Sequence, residues 1–177
     1  MKYGIENEKL ALEAYVTWQH NHGHPDLIMS SSGFLINPLY SFLGASPDGA
    51  VHDPSDVDAP FGFVEIKCPY SVRNLTPIEA SHTPGFCCVK NDLGDLELKE
   101  KHFYYAQIQG QMAIGKRPWC DFVIYTQKGI NVQRITFNHD YWGENLTKLV
   151  SFYDTCLAPE IVSPRSYVGL SVRKIPE

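Results

Sequence analysis

The stretch Val64-Glu65-Ile66-Lys67-Cys68-Pro69 (VEIKCP) closes an apolar run, FGFVEIKC, that reads as a strand yet carries two charges two residues apart. Side chains alternate faces along a strand, so Phe63, Glu65 and Lys67 share one face while Val64, Ile66 and Cys68 share the other. A solvated strand face explains that pattern by itself. Upstream, Gly44-Ala45-Ser46-Pro47-Asp48-Gly49 (GASPDG) ends the preceding apolar run as a β-turn sequence, with Pro at the second position and Gly at the fourth. It too needs no functional reading when taken alone. If the two runs pair as antiparallel strands, however, Asp48 at the end of one lies beside Glu65 in the other. Adjacent carboxylates repel unless a cation lies between them, and oxygen-rich carboxylate sites suit Mg²⁺ or Mn²⁺.

Two helices point toward the same place. The periodic segment Gly4 to Gln19 reads as an amphipathic helix, stopped by the Gly/Pro-containing HNHGHPD. On it Glu8 shares a stripe with Ile5, Ala11, Leu12 and Tyr15, whereas Glu6 and Glu13 lie opposite. An inward Glu requires a partner, whether a cation side chain, a hydrogen-bond network or a metal. A second helix is expected from Lys99 to Gly115, stopped by Gly115 and Pro118. There Gln107 shares a face with Phe103, Tyr104, Gln111 and Ile114, and Gln109 points away beside Tyr105 and Met112. Glu8, Asp48, Glu65, Lys67 and Gln107 are thereby expected to converge on one side of a small sheet.

Between and around these segments, LIMSSSGFLIN and LYSFLGA read as a hairpin and FGFVEIKC as a third strand. WCDFVIYT and NVQRITF flank QKG as a second hairpin, and Asn138 is an N-cap for a last helix running to about Cys156. Residues 71–98 carry no firm assignment beyond an NDLGD turn. The expected order is helix, three strands, helix, two strands, helix, an α/β domain with a small central sheet.

The totals agree with one such domain over residues 1–177, since a core of this size buries most of its apolar surface. With 44% hydrophobic and 20% charged residues the chain is globular, and no apolar run is long enough to span a membrane. Nothing resembles a secretory leader, so an intracellular protein is expected, nuclear in a eukaryote and cytoplasmic otherwise. Five cysteines without a C-x-x-C pair indicate neither a thiolate zinc site nor a disulfide framework. A net charge of −5 argues against coating of nucleic acid through a broad basic surface. It leaves room for acidic residues at a metal with Arg73, Lys90, Lys99, Lys101, Lys116, Arg117, Lys128 and Arg134 along a groove, although solvated surface explains each of these cations equally well. His20, His22 and His24 straddle a helix end and read as loop, and Cys87-Cys88 read as small buried hydrophobes.

In chain order, GIENEKLALEAY, GASPDG, VEIKCP and YYAQIQGQM followed by WCDFVIYT resemble the motifs of YqaJ-type viral recombinase domains, relatives of phage lambda exonuclease within the PD-(D/E)XK nuclease superfamily. The resemblance runs from about Tyr3 to Phe137. It implies a restriction-endonuclease-like core with a small mixed central sheet flanked by helices. Carried onto this sequence, it makes Asp48 and Glu65 metal-binding carboxylates assisted by the Ile66 backbone carbonyl. Lys67 would orient the attacking water, Glu8 of the G-x-x-x-E motif would reach the metal, and Gln107 would hydrogen-bond at its edge. The implied activity is Mg²⁺-dependent DNA hydrolysis, with Mn²⁺ as a substitute, most directly an exonuclease on linear duplex DNA in recombination and repair. A homo-oligomer and a single-strand annealing protein are further partners of this family type, and no membrane is involved. Lambda exonuclease carries a segment before the Glu8-bearing helix that is absent here. Cleavage is therefore better supported than 5′-to-3′ polarity. A catalytically silent DNA-end-binding module, or an endonuclease of the same superfamily, is the competing expectation.

Overall fold

The computed structural model describes residues 2–165 and 169–174, the side chains of Lys2 and Ile5 excepted, so the expected place of Ile5 on the first helix stripe lies outside the described residues. The chain divides into two compact units, Met1–Phe137 and Asn138–Glu177. Helix α1 (Lys2–Asn21) opens the first. Then follow β1 (Ile28–Ser30), β2 (Leu35–Ile36), β3 (Gly44–Ala45), β4 (Gly49–His52) and β5 (Phe61–Lys67). A short helix α2 (Pro77–Ala80) and the strands β6 (Cys88–Lys90) and β7 (Leu96–Leu98) precede α3 (Phe103–Gly115), β8 (Trp119–Thr126) and β9 (Gly129–Thr136).

The central sheet runs β1-β4-β5-β8-β9, with β5 and β8 parallel and every other pair antiparallel, while β2-β3 and β6-β7 form separate hairpins. Strand β5 is buried on both faces, and this decides the layering. Val64 and Ile66 pack with Ala11 and Tyr15 of α1 and with Val51, Trp119 and Val123. Phe63 lies beneath α3 on the other face, so close to Gly115 that a Cβ there would come within 2.3 Å of its ring. The sheet is therefore covered on both faces, by α1 and by α3.

Several expectations change at this level. The expected first hairpin splits: LIMSSSGFLIN supplies β1 and β2, and only Gly44-Ala45 of LYSFLGA is a strand. Strand β4, GAVH, carried no signal, because Gly and Ala are poor strand formers and the segment is too short to alternate. Asp48 consequently lies just before a strand instead of ending one, and Ser46–Asp48 link two different sheets. Helix α3 starts at Phe103 and not at Lys99, because Lys99 N–H still bonds to the Cys87 carbonyl at 3.0 Å and His102 accepts the Tyr104 N–H at 3.2 Å as N-cap. At its other end Gly115 is the last helical residue and Lys116 takes the left-handed conformation, φ 52°. The glycine is needed for closeness to Phe63, not for its backbone freedom. The face of α3 that bears Tyr105, Gln109 and Met112 is buried, so Gln109 points into the protein and donates to the Thr136 carbonyl at 3.0 Å.

Behind the sheet lies a polar network. Arg134 on β9 bonds Asp121 at 2.9 and 3.1 Å and Asp53 at 3.3 Å, and its guanidinium stacks 3.7 Å from the Trp119 ring. Asp121 also accepts from Tyr15 Oη and Gln19 Nε2, each at 2.7 Å, and His24 Nδ1 meets Asp53 at 2.8 Å. Both aspartates are fully buried. Trp119 itself lies over Gly62, where any Cβ would clash at 2.2 Å, and donates Nε1–H to Ala59 at 2.7 Å.

The second unit holds α4 (His139–Phe152), capped as expected by Asn138, whose side chain accepts the Tyr141 N–H at 2.9 Å. Its helical path does not end near Cys156. It passes through a π turn, Tyr153–Leu157, into α5 (Ala158–Val162). Pro159 has no N–H to return to the preceding turn, and the wider turn accommodates that loss. Among the described residues no helix is long and apolar enough to cross a membrane.

Candidate active site

Strand pairing sets the site. Gly49 lies opposite Val64 in the β4-β5 register, and one step further brings Asp48 opposite Glu65. The Ile66 N–H donates to Asp48 Oδ2 at 2.7 Å, so the carboxylate is clasped across the two strands. The adjacency expected of these two residues is present in the fold. The β-turn expected of SPDG is not what produces it: Ser32 Oγ donates to the Pro47 carbonyl at 2.5 Å and holds the segment as it enters β4.

Glu65 is 2% exposed and fully engaged. Its Oε1 accepts from Lys67 Nζ and, at 2.7 Å, from Gln107 Nε2, while Gln111 Nε2 donates to Oε2 at 2.7 Å. Lys67 Nζ also lies 3.4 Å from Gln107 Oε1 and 4.5 Å from the centre of the Tyr104 ring. Gln111 is a site residue beyond those expected from the sequence, although its spacing of four from Gln107 places both on one helix face. Its own Oε1 is buried without a partner among the described residues.

Glu8 lines the same cavity, about 550 Å³, together with Gly4, Asp48, Lys67, Cys68 and Tyr104. It reaches it from the other face of the sheet. The expected stripe is present at Ala11 and Tyr15, which are buried. What changes is the expected convergence on one side: α1 and α3 cover opposite faces, and their polar residues meet at the end of the sheet where β5 stops and β4 begins.

The electrostatics of this end are those of crowded carboxylates. Burial first, then the charge of Glu65, with a further contribution from Glu8, pushes the Asp48 carboxyl up to about 6, against the opposing effects of the Ile66 N–H and Lys67. Burial followed by the charges of Glu8 and Asp48 pushes the Cys68 thiol up to about 11. Among the described residues, no group of three or more His, Cys, Asp or Glu side chains stands ready to hold a metal ion. The available oxygen donors are the Asp48 and Glu65 carboxylates, the Ile66 carbonyl and, across the cavity, Glu8.

Other candidates resolve into structure. His20 meets the Leu27 carbonyl, His22 stacks on Trp18 at 3.9 Å, and His24 joins Asp53, so the three histidines serve separate contacts. All five cysteines are free thiols, and Cys87 and Cys88 are buried as expected, their sulfurs 3.7 Å apart. Of the cations considered for a groove, Arg134 is held in the buried network, Arg73 stacks on Tyr70 at 3.9 Å, and Lys99 donates to the Phe86 carbonyl at 2.7 Å.

Comparison with known proteins agrees with this layout. The model of the YqaJ-like viral recombinase domain matches residues 1–118. The structure is similar to that of an alkaline exonuclease (LHK-Exo) from Laribacter hongkongensis, with 28% sequence identity and a TM-score of 0.67 over 97% of this chain and 75% of that one. The same exonuclease in complex with dAMP matches equally well. No curated protein matches the chain. The mixed sheet flanked by helices is a PD-(D/E)XK core.

Proposed function

We propose, from the premise that this chain belongs to the YqaJ-like viral recombinase domain family, that it is a divalent-metal-dependent DNA nuclease, an exonuclease acting on linear DNA in recombination and repair. The observation that carries this reading is the strand register that sets Asp48 against Glu65 with Lys67 on the same face as Glu65. The residues fit a hard cation, because the donors are oxygens and the Asp48 carboxyl, raised first by burial and then by the charge of Glu65, is a buried anion whose charge such an ion would offset. Asp48, Glu65 and the Ile66 carbonyl would hold Mg²⁺ or Mn²⁺, with Glu8 facing them. When bound, the ion supplies Lewis-acid activation of water and shields charge on the phosphoryl oxygens.

The chain's own groups do the rest. Lys67, held between Glu65 and Gln107 and against Tyr104, presents its ammonium to the attacking water and to developing negative charge. Gln107 and Gln111 fix the Glu65 carboxylate in one orientation, which keeps it from swinging toward Lys67 alone. Gln111→Leu should therefore lower cleavage by about 10–100-fold and weaken activation by Mg²⁺, as read from a metal titration of the rate. An unchanged titration would remove Gln111 from this role.

The test of the reading is a cleavage assay on 5′- and 3′-labelled linear duplex with a closed circular control. Mg²⁺ should release nucleotides from the linear substrate, and Lys67→Ala should slow that release by about a hundredfold or more. Cutting of the circle assigns an endonuclease instead. One observation favours a second reading: both Glu65 oxygens are already satisfied by Lys67, Gln107 and Gln111. A DNA-end-binding module without catalysis would bind the linear duplex and show no turnover stimulated by metal.

A further inference from the structure

The N-terminus of α3 carries three adjacent rings, of which the catalytic reading uses only Tyr104, as a wall for Lys67. Their centres lie 4.3 Å apart for His102 and Phe103, 4.6 Å for His102 and Tyr104, and 4.4 Å for Phe103 and Tyr104. These residues are not core. Tyr105, next in sequence, is buried, but Phe103 is 68% exposed, an unusual position for a phenyl ring with two aromatic neighbours. His102 and Tyr104 line the same cavity as Glu8, Asp48 and Lys67, and Tyr104 packs against the Lys67 ammonium. His102 spends its Nδ1 on the Tyr104 N–H, and burial, followed by the charge of Lys99, lowers its pKa, so the ring facing the cavity is flat and uncharged.

We propose that His102, Phe103 and Tyr104 form a nucleobase-stacking platform that receives a base of the cleaved strand beside a phosphate drawn to Lys67. The substrate of this platform rests on the nuclease reading, and its place on the geometry of the rings. A nucleobase is the occupant because the platform continues the wall of a cavity that holds a phosphate-directed cation, and a base is the flat apolar group nearest a phosphate. Every base has a π-face, so the platform tolerates any sequence, but it needs a base released from its pair. It thus favours a frayed or single-stranded end over an intact duplex.

Phe103 is the residue to substitute, since its exposure leaves the core untouched. Phe103→Ala should raise KM for single-stranded oligonucleotides by about tenfold with kcat within about twofold, and Phe103→Trp should restore KM. In EDTA, oligonucleotides carrying 2-aminopurine at successive positions should show fluorescence quenching at one position with the wild-type protein and none there with Phe103→Ala. An abasic residue at that position should make the two proteins bind alike. Wild-type quenching by Phe103→Ala, or a difference between the proteins that persists on the abasic strand, overturns the platform. Quenching without any cleavage by the wild-type protein sinks the nuclease reading alone, whereas cleavage without quenching sinks the platform alone.

Discussion

Asp48→Asn abolishes cleavage, by about a thousandfold or more, and at the same time raises the melting temperature of the metal-free protein. The first effect removes an anionic oxygen donor. The second follows from the sign of the shift at Asp48. Its carboxyl titrates at about 6 in the folded chain against 3.8 when unperturbed, so the native state holds a proton that the unfolded state has lost between those values. Stability therefore falls as pH rises from about 4 to about 6, and the full cost is present above that window. With solvent screening of this part-exposed group allowed for, that cost is about 2 kcal/mol, or several degrees in melting temperature. Asn keeps an acceptor for the Ile66 N–H and carries no charge. Melting curves in EDTA at pH 5 and pH 8 check this: the gain should be present at pH 8 and small at pH 5. A variant that is less stable than wild type at pH 8 would show that the charge on Asp48 does not destabilise the fold.

Arg134→Ala has the largest expected effect on the fold itself, a loss of about 3–5 kcal/mol in urea denaturation. It leaves Asp53 and Asp121, both fully buried, without their cation. Tyr15 and Gln19 continue to donate to Asp121, but neutral donors do not balance the charge. Since a domain of this kind holds roughly 5–15 kcal/mol in all, the variant should be partly unfolded at 37 °C and should regain cleavage in the cold. Loss of cleavage at both temperatures with an intact melting transition would give Arg134 a direct part in the site.

These two residues show what the sequence made legible. Asp48 and Glu65 could be paired in advance because strand periodicity fixes the face of Glu65 and an antiparallel neighbour brings the preceding segment back beside it. The stripe bearing Glu8 could be read because a helix has a fixed angular step. That step says nothing about which face of the sheet the helix covers, and so the two helices were expected on one side when they lie on opposite ones. Gln111 was visible at the right spacing but indistinguishable from a core-facing amide until Glu65 was seen within 2.7 Å of it. The Arg134 network was out of reach for another reason. Its members come from α1, the loop after β4, β8 and β9, and only their packing reveals that Asp121, in an otherwise apolar strand, has a cation to meet.

The arrival of the two walls from opposite faces of the sheet has an energetic consequence. Glu8 hangs from α1 and Gln107 from α3, and the described hydrogen bonds give them no common partner, so the free-energy effects of changing them in the metal-free protein should couple only through the charge at Asp48. Glu65, Gln107 and Gln111 do share bonds, and changes among them should fall well short of additivity. Seen as a design, the cavity is two walls joined at a strand end and linked there by the charge of Asp48: variation on α1 can retune that charge while the three-donor grip on Glu65 in the other wall is left as it stands.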